Sequence, residues 1–454
     1  MQRETGGLSS GSGRSVKRRH RYLRDLQNGL TPEERLNKVV TDAMCIGCGL
    51  CQSIAGRERV QMRLVENLTE RPVITGELDA GTVDRIYRVC PATRIEGLPE
   101  TLIDSASRSD KVWGVWRRLV LAWAAEPDIR HLGSTGGFLT ALALYLLERG
   151  EVDFIVHARA SRRYPAFGER AISRSREDII AAAGSRYGPT ATLVDMLEVL
   201  DRAEAADERF AFIGTPCDVT GLRNLATEDS RVDRLCRYQL TMVCGGFMAP
   251  TALRRYLREL DVEWDDLHAL RYRGHGCPGP TRVEAADGRA IERNYLDFWG
   301  EEESSWQLPF RCKVCADGIG DAADIAAADT WDGGSPPWEG QEKDPGSNAV
   351  IARSRRGEEL LARAEAAGYV ATGEGLTPRD LDRLQPHQVT KKLAVWSRFV
   401  GMRSAGRIVP DVARLRLKSL ARTNTLAENL DQARGTRNRC LDGSNSEPLP
   451  EPVE

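Results

Sequence analysis

The chain has 454 residues, of which 41% are apolar and 29% charged, and its formal net charge is -2. This composition is typical of a soluble globular protein with two or three structural units. The balanced charge argues against a general nucleic-acid binder, and no apolar run reaches the roughly 18 residues of a transmembrane segment.

The N-terminal region is basic and rich in glycine and serine. It carries six Lys or Arg residues between Arg14 and Arg24, and no apolar segment of a secretory signal follows them. We therefore predict a disordered basic arm over 1–38, with docking to an acidic partner as the alternative. We expect a cytoplasmic, reducing environment, in which structural disulfides are unfavourable.

A cysteine motif of the form C-x-x-C-x-x-C begins at Cys45. This is the spacing of a bacterial ferredoxin loop, whose fourth ligand is commonly a cysteine followed by proline, as in Cys90-Pro91. Because Cys90 lies far downstream, only folding can bring it near the triplet. A zinc site is the alternative, since tetrahedral thiolate sites also use C-x-x-C pairs. The candidate ligands of this first set are Cys45, Cys48, Cys51 and Cys90.

The middle of the chain alternates strand-like apolar runs, such as 152–158 and 210–213, with helical patterns. This alternation predicts an α/β core with a mainly parallel sheet. Glycine-containing turns at 134–137, 184–188 and 214–217 occupy positions beyond the carboxyl ends of strands, where ligands bind in such sheets. The chain has neither a G-x-G-x-x-G fingerprint nor a P-loop, so a standard Rossmann nucleotide site and an NTPase are both disfavoured.

Further cysteines lie beside these runs. One follows Gly-Thr-Pro after a strand-like run, one precedes Gly-Gly after another, and two form a C-x-x-C pair. A single C-x-x-C pair is ambiguous, but the four together predict a second four-thiolate site. Its candidate ligands are Cys217, Cys244, Cys312 and Cys315. Cys236 and Cys440 are interpreted as core or surface thiols.

In this order, the motifs resemble the beta subunit family of coenzyme F420 hydrogenases and dehydrogenases. That family also includes 7-hydroxymethyl chlorophyll a reductase and a ferredoxin-type divinyl chlorophyllide reductase. The resemblance runs from about residue 40 to about residue 410. The matching segments are CIGCGLC at 45–51, STGGFLTALALYLLERGEVDFIV at 134–156, GSRY at 184–187, FIGTPCDVTGLRNL at 212–225, CGG at 244–246, RYRGHGCPG at 271–279, RCKVCAD at 311–317 and ADIAAADTW at 323–331.

The resemblance implies an iron–sulfur flavoprotein that binds FAD on its α/β portion and carries two 4Fe-4S clusters. The first cysteine set would then hold an outer cluster, and the second set a cluster close to the flavin. Arg186 stands where the family usually has lysine, and Cys277 where it usually has an aromatic residue, so Cys277 is the alternative ligand of the second set. The candidate FAD contacts are Ser134, Thr135, Gly136, Gly137, Ser185, Arg186, Tyr187, Thr215 and Pro216.

We therefore predict an FAD-dependent iron–sulfur oxidoreductase. It would relay electrons between a one-electron donor, either ferredoxin or a partner subunit, and a small organic hydride acceptor, either coenzyme F420 or a tetrapyrrole. One alternative is an electron-transfer subunit of a larger complex without its own substrate site. Another is a zinc-stabilised, non-catalytic interaction protein. A homo-oligomer is possible, and no catalytic acid is assigned; His157, His275 and Tyr187 are candidates by residue type only.

The predicted organisation has five parts. They are the arm at 1–38, a ferredoxin-like iron–sulfur segment at 39–105, an FAD- and cluster-binding α/β core at 106–345, a C-terminal α/β-helical region at 346–435 and a disordered tail at 436–454. In the C-terminal region, Lys391, Lys392 and Arg398 are candidates for docking an acidic electron donor, with a solvated helix face as the alternative. Asp317, Asp324 and Asp329 are interpreted as turn and helix caps.

Overall fold

A mixed eight-stranded sheet forms the centre of the molecule, for which the computed structural model describes residues 21–299 and 307–452. In spatial order its strands are β16 (Val370–Gly375), β6 (Arg118–Ala124), β15 (Asn348–Ala352), β14 (Ile325–Asp329), β10 (Cys236–Met242), β9 (Phe210–Gly214), β7 (Phe154–Ala160) and β8 (Gly168–Ser173). Smaller sheets pair β1 (Val60–Leu64) with β2 (Glu70–Ile74), β3 (Arg94–Glu96) with β17 (Asp411–Ala413), β4 (Arg108–Asp110) with β5 (Gly114–Trp116), and β11 (Leu267–Arg271) with β12 (Thr281–Ala285) and β13 (Ala290–Arg293).

The strand directions confirm the α/β class and correct the predicted sheet. Only the pairs β14–β10, β10–β9 and β9–β7 are parallel. The other four neighbouring pairs are antiparallel, so the prediction of a mainly parallel sheet is wrong. Since β6 and β14 are both antiparallel to β15, they share one direction with β10, β9 and β7. The carboxyl ends of these five strands therefore lie at one edge, where ligands bind in α/β sheets.

Helices cover both faces of this sheet and extend the two ends of the chain. They are α1 (Pro32–Thr41), α2 (Leu50–Ala55), α3 (Ala80–Val89), α4 (Pro127–Leu132), α5 (Phe138–Glu148), α6 (Arg176–Ala181), α7 (Met196–Ala205), α8 (Pro216–Ala226), α9 (Arg231–Leu235), α10 (Pro250–Glu259), α11 (Tyr295–Trp299), α12 (Phe310–Lys313), α13 (Arg355–Ala366), α14 (Pro378–Leu384), α15 (Pro386–Ser404), α16 (Leu417–Ala421) and α17 (Leu426–Leu441). Within residues 21–299 and 307–452, none of them combines the length and the apolar character needed to cross a bilayer.

Local sequence explains why these helices begin where they do. Thr215 caps α8. Its hydroxyl accepts a hydrogen bond from the Asp218 N–H, and the Asp218 carboxylate accepts one from the Thr215 N–H. Pro216 occupies the first turn. The predicted apolar helix at 138–147 is observed as α5, whose side chains lie in the core against β6, β7 and β14. Burial on several sides accounts for its almost continuous apolar sequence.

Both ends of the chain are more ordered than predicted. Residues 21–27 are helical and α1 follows, although both fall in the predicted basic arm; residues 1–20 lie outside the described residues. At the other end, α17 continues into the predicted tail, and Glu447 forms an ion pair with the buried Arg71. The predicted disorder is therefore wrong for 21–38 and 436–452. The composition of these segments suggests disorder because composition contains no information on contacts with residues far away in the chain, such as that of Glu447 with Arg71.

Asp324 is the centre of a buried ionic network between β14 and α13. It accepts hydrogen bonds from Arg356 Nε (2.7 Å), Arg223 Nη2 (3.1 Å) and Ser354 Oγ (2.6 Å). Burial alone would raise the pKa of Asp324, but the guanidinium groups of Arg356 and Arg223 outweigh burial and lower it to about 2. Its predicted capping role is corrected to that of a buried counter-ion.

We expect Asp324→Asn to lower the free energy of unfolding by about 2 kcal/mol at pH 7, because it removes the carboxylate that pairs with the buried Arg223 and the half-buried Arg356. The carboxylate has a lowered pKa, so its contribution is present above the ordinary value of 3.8 and is lost as the pH falls towards about 2. Urea unfolding of both proteins measures the difference. Glu198→Gln, which breaks the exposed pair with Arg202, is the control and should change stability by less than about 0.5 kcal/mol.

Candidate functional site

The four cysteines of the first set line one cavity. Cys45, Cys48 and Cys51 lie on the loop that leads into α2 and in its first turn, and Cys90 terminates α3. Met62 and Pro72, from the β1–β2 hairpin, complete part of the wall. Folding therefore places Cys90 beside the triplet, whereas the role of all four as metal ligands stays a prediction.

Two glycines let the cysteine loop wrap closely around this cavity. Gly47 has φ +75° and donates its N–H to Cys45 Sγ at 3.4 Å. Gly49 has φ +85°, and a Cβ added there would lie 2.8 Å from the backbone of Val194. A side chain at either position would be strained, so the loop depends on glycine to bring backbone donors to sulfur.

The environment of the first set suits thiolates only in the presence of a cation. Burial raises the pKa of Cys90 to about 12, and burial followed by the neighbouring Cys90 raises the pKa of Cys48 well above its ordinary value. In the described part of the chain, no three His, Cys, Asp or Glu side chains converge on a position for a single metal ion. The four cysteines line the same cavity, and the choice of a 4Fe-4S cluster over zinc stays a prediction.

The second set lies at the carboxyl edge of the large sheet. Cys217 follows β9 in the first turn of α8, and Cys244 follows β10. Cys312 lies in α12, and Cys315 follows that helix. The Cys244 N–H donates to Gly318 O at 2.7 Å, and a Cβ at Gly246 would lie 3.2 Å from Cys312 Cβ, so these loops pack together.

Cys217 interacts electrostatically with other cysteines of the second set. Burial, followed by Asp218 and the thiols of Cys244 and Cys315, raises the pKa of Cys217. The structure thus brings the four predicted residues of the second set together. The sequence alone could not establish that these four cysteines meet, because they follow different elements that are far apart in the chain.

The remaining cysteines lie apart from both sets. Cys277 packs against Tyr295 and Trp331, close to the 134–137 turn rather than with the second set. Cys236 is fully buried in β10 and donates to Tyr238 O at 3.4 Å. Cys440 is buried in α17. The interpretation of Cys236 and Cys440 as packing residues agrees with these positions.

The two predicted flavin turns meet in space. The Ser185 N–H donates to Ser134 Oγ at 2.8 Å. Arg273 joins both turns, because its guanidinium donates to Ser134 O at 2.8 Å, Thr135 Oγ1 at 3.1 Å and the Tyr187 hydroxyl at 3.2 Å. We call these residues, with Arg186, the turn rim. Gly136 and Gly137 complete the first turn and lead into α5.

Sequence reasoning missed the role of Arg273 and its partner Asp329. Arg273 is 4% exposed, forms an ion pair with Asp329 at 3.1 Å and lies over the rings of Tyr295 and Trp331. Asp329 ends β14, so it is a counter-ion here and not a turn cap. The sequence feature that could have identified Arg273 is the RYRG segment at 271–274, in which charged and aromatic residues alternate.

Arg186 is the rim cation that lacks a carboxylate partner among the described residues. Its Nη1 donates to Leu270 O at 2.7 Å, while its Nε is buried and has no hydrogen-bond partner. Burial lowers the pKa of Arg186. A guanidinium group in this situation favours a bound anion.

Thr215 and Pro216 differ from the other predicted flavin contacts. Thr215 Oγ1 lies 3.0 Å from Cys217 Sγ and 2.7 Å from Asp218 Oδ2, so its contacts belong to the second cysteine set and the α8 cap. Pro216 occupies the first turn of the same helix. These two residues therefore lie on the side of the site where the cysteines are, and direct flavin contact stays a prediction for them.

Other candidates are placed as follows. His157 lies in β7 with Nε2 2.7 Å from Ser173 Oγ, and burial lowers its pKa to about 4, which indicates a neutral structural role. Lys392 is buried and forms an ion pair with Asp321, so its prediction as a docking residue is wrong. Lys391 instead donates to Gly245 O at 3.1 Å, next to Cys244.

Comparison with known proteins adds independent information. Two family models match the chain, and both describe the beta subunit of coenzyme F420 hydrogenase/dehydrogenase. The model of its N-terminal part matches residues 119–198, and the model of its C-terminal part matches residues 207–376. Together they match more than half of the 454 residues.

Among similar proteins is a coenzyme F420-dependent sulfite reductase of Methanocaldococcus jannaschii, 23% identical over 78% of this chain and 50% of the relative. Another is an F420-dependent formate dehydrogenase 1 subunit beta of Methanococcus maripaludis, 27% identical over 55% of this chain and 59% of the relative. The chain thus spans between 50% and 59% of the length of these relatives. A solved F420-reducing NiFe hydrogenase complex from Methanosarcina barkeri contains a chain with 21% identity and a TM-score of 0.47, over 63% of this chain and 92% of that one.

Proposed function

Because the chain belongs to the coenzyme F420 hydrogenase/dehydrogenase beta subunit family, we propose that it is an FAD-dependent iron–sulfur oxidoreductase. In this proposal it relays electrons between a one-electron donor and coenzyme F420. The observation that carries the proposal is the gathering of eight cysteines into two sets of four, with the second set at the sheet edge that also carries the turn rim.

The first set would hold one 4Fe-4S cluster and the second set another. The fit rests on buried thiols lining a cavity, backbone N–H groups directed at sulfur, and glycines whose replacement would cause clashes. FAD would bind at the turn rim, where Arg186 and the backbone of the Ser134 turn suit its pyrophosphate. When bound, such clusters pass single electrons and a flavin converts them into hydride chemistry.

The residues of the chain supply position and charge. Arg273 holds the two turns of the rim together through its bonds to Ser134 and Tyr187, and Asp329 keeps that guanidinium in place. The rings of Tyr295 and Trp331 cover Arg273 and exclude water from this wall. The turn rim is thus preorganised by these contacts.

The names of the relatives favour coenzyme F420 as the acceptor over a tetrapyrrole, because the two relatives described above are named as F420-dependent enzymes or subunits of them. One of them is named as a subunit, so a partner subunit is our proposed electron donor. The alternative of a subunit without its own substrate site differs in one property: such a chain would not reduce F420 when purified alone.

Purification of the full chain without oxygen tests the proposal. We expect a brown protein with about eight iron atoms per chain, equimolar sulfide and one FAD. Addition of reduced F420 should bleach the flavin absorbance, and dithionite-reduced protein should reduce F420. A colourless protein that contains zinc, or iron without any flavin, would contradict the proposal. Full cofactor loading without F420 turnover would favour the electron-transfer subunit.

A further inference from the structure

A buried arginine links the two cysteine sets directly. Arg311 immediately precedes Cys312 and is 3% exposed. Its Nη2 donates to Pro91 O at 3.0 Å, and Pro91 follows Cys90. One side chain therefore connects the peptide beside a ligand of the first set to the peptide beside a ligand of the second.

A second buried arginine lies against the loop of the first set. Arg71, on β2, is 2% exposed, and its Nη1 would lie 3.6 Å from a Cβ at Gly47. Its Nε and Nη2 donate to the two carboxylate oxygens of Glu447 at 2.7 and 2.9 Å. Burial alone would lower the pKa of Arg71, but the neighbouring Cys45, followed by Glu447 and Cys312, raises it.

The two arginines differ in whether a carboxylate neutralises their charge. Arg71 has Glu447 as a bidentate partner, whereas no carboxylate lies within 4.0 Å of Arg311 in the described part of the chain, and its Nε is buried without a partner. An uncompensated buried cation is unfavourable unless negative charge comes close. Clusters held by four thiolates each would supply that negative charge on both sides.

We propose that the positive charges of Arg71 and Arg311 raise the reduction potentials of both iron–sulfur clusters. The negative charge of Glu447 partly offsets this effect. The inference rests on the proposed function. A positive charge between the sites stabilises an electron added to either one, so both potentials move in the same direction. Glu447 reaches Arg71 from the C-terminal segment, which gives that segment a role in the electron relay.

The test is a redox titration of the anaerobically purified full chain, followed by electron paramagnetic resonance. Arg71→Met should lower both midpoint potentials by roughly a tenfold change in the reduction equilibrium, about 59 mV for a one-electron couple. Arg71→Lys should stay close to the wild type. Glu447→Gln should shift both potentials upwards. Arg202→Met, at a side chain that is 80% exposed, is the matched control and should shift neither.

Opposite shifts from Arg71→Met and Glu447→Gln support the proposal, because a purely structural role would not give them opposite signs. Unchanged potentials, or shifts of the same sign, in proteins that retain their iron would overturn it. If Arg71→Met fails to hold iron, Glu447→Gln and Arg311→Met decide: an upward shift in the first and a downward shift in the second support the inference, and any other combination overturns it. Wild-type protein without iron would instead overturn the proposed function.

Discussion

Replacing Cys48 with serine should halve the iron content, from about eight to about four atoms per chain, because a 4Fe-4S cluster needs its thiolate ligands and serine is a poor substitute. The cavity of the first set would keep its other three cysteines and its shape, yet its cluster would be lost or unstable in air. Iron and sulfide analysis of anaerobically purified protein measures the loss. Cys312→Ser should remove the other half, and the double variant nearly all iron.

A matched control separates this effect from the loss of any buried cysteine. Cys236 is 0% exposed and lies in β10 outside both sets, so Cys236→Ser should retain about eight iron atoms. Cys277→Ser tests the alternative ligand and should also retain them, since Cys277 packs with aromatic residues near the turn rim. Retention of all iron in Cys48→Ser, or loss of iron in Cys277→Ser, would show that the ligand sets are assigned wrongly.

Replacing Arg186 with glutamine should weaken FAD binding by about 30- to 150-fold, the effect of about 2–3 kcal/mol for a lost charge-assisted hydrogen bond. Arg186 donates to the Leu270 carbonyl, and its buried Nε has no hydrogen-bond partner among the described residues. Its charge is therefore available to a phosphate. Fluorescence titration of deflavinated protein with FAD measures the dissociation constant. Iron content should not change.

The conservative variant decides whether charge or folding is responsible. Arg186→Lys keeps a cation in this turn and should retain most of the affinity. Arg174→Gln, which removes an exposed cation paired with Glu208, is the control and should bind FAD as the wild type does. Equal affinity in wild type and Arg186→Gln would place the pyrophosphate elsewhere on the rim.

The structure also limits which residues can dock an electron donor. Lys392, one of the predicted docking residues, is buried with Asp321, and Lys391 contacts the loop of Cys244. The helical pattern of α15 was visible in the sequence. Which of its faces is buried was not visible there, because neighbouring lysines in a helix point in different directions and only packing decides which one is buried.

Much of the site could be predicted from local spacing. The C-x-x-C-x-x-C triplet, the helix beginning at Phe138 and the strand ending at Gly214 are each specified by residues close in sequence, and the structure has the corresponding loop, α5 and β9. Periodicity and turn chemistry act over a few residues, so a linear pattern can identify them. The mixed directions of the sheet could not be read in this way, since an antiparallel return leaves no distinct local signal.

The sequence by itself determined the identity of the chemical groups: eight cysteines in motif positions, glycines where the backbone must turn, and the turns that form the rim. Only the tertiary structure decided their neighbours. It placed Cys90 beside Cys45, inserted Arg273 between the two turns, packed Arg71 against the loop of the first set and brought Arg311 between the cysteine sets. The physical reason is that contacts between residues far apart in the chain depend on packing and on buried charge compensation, which act through space and leave no periodic trace in the chain.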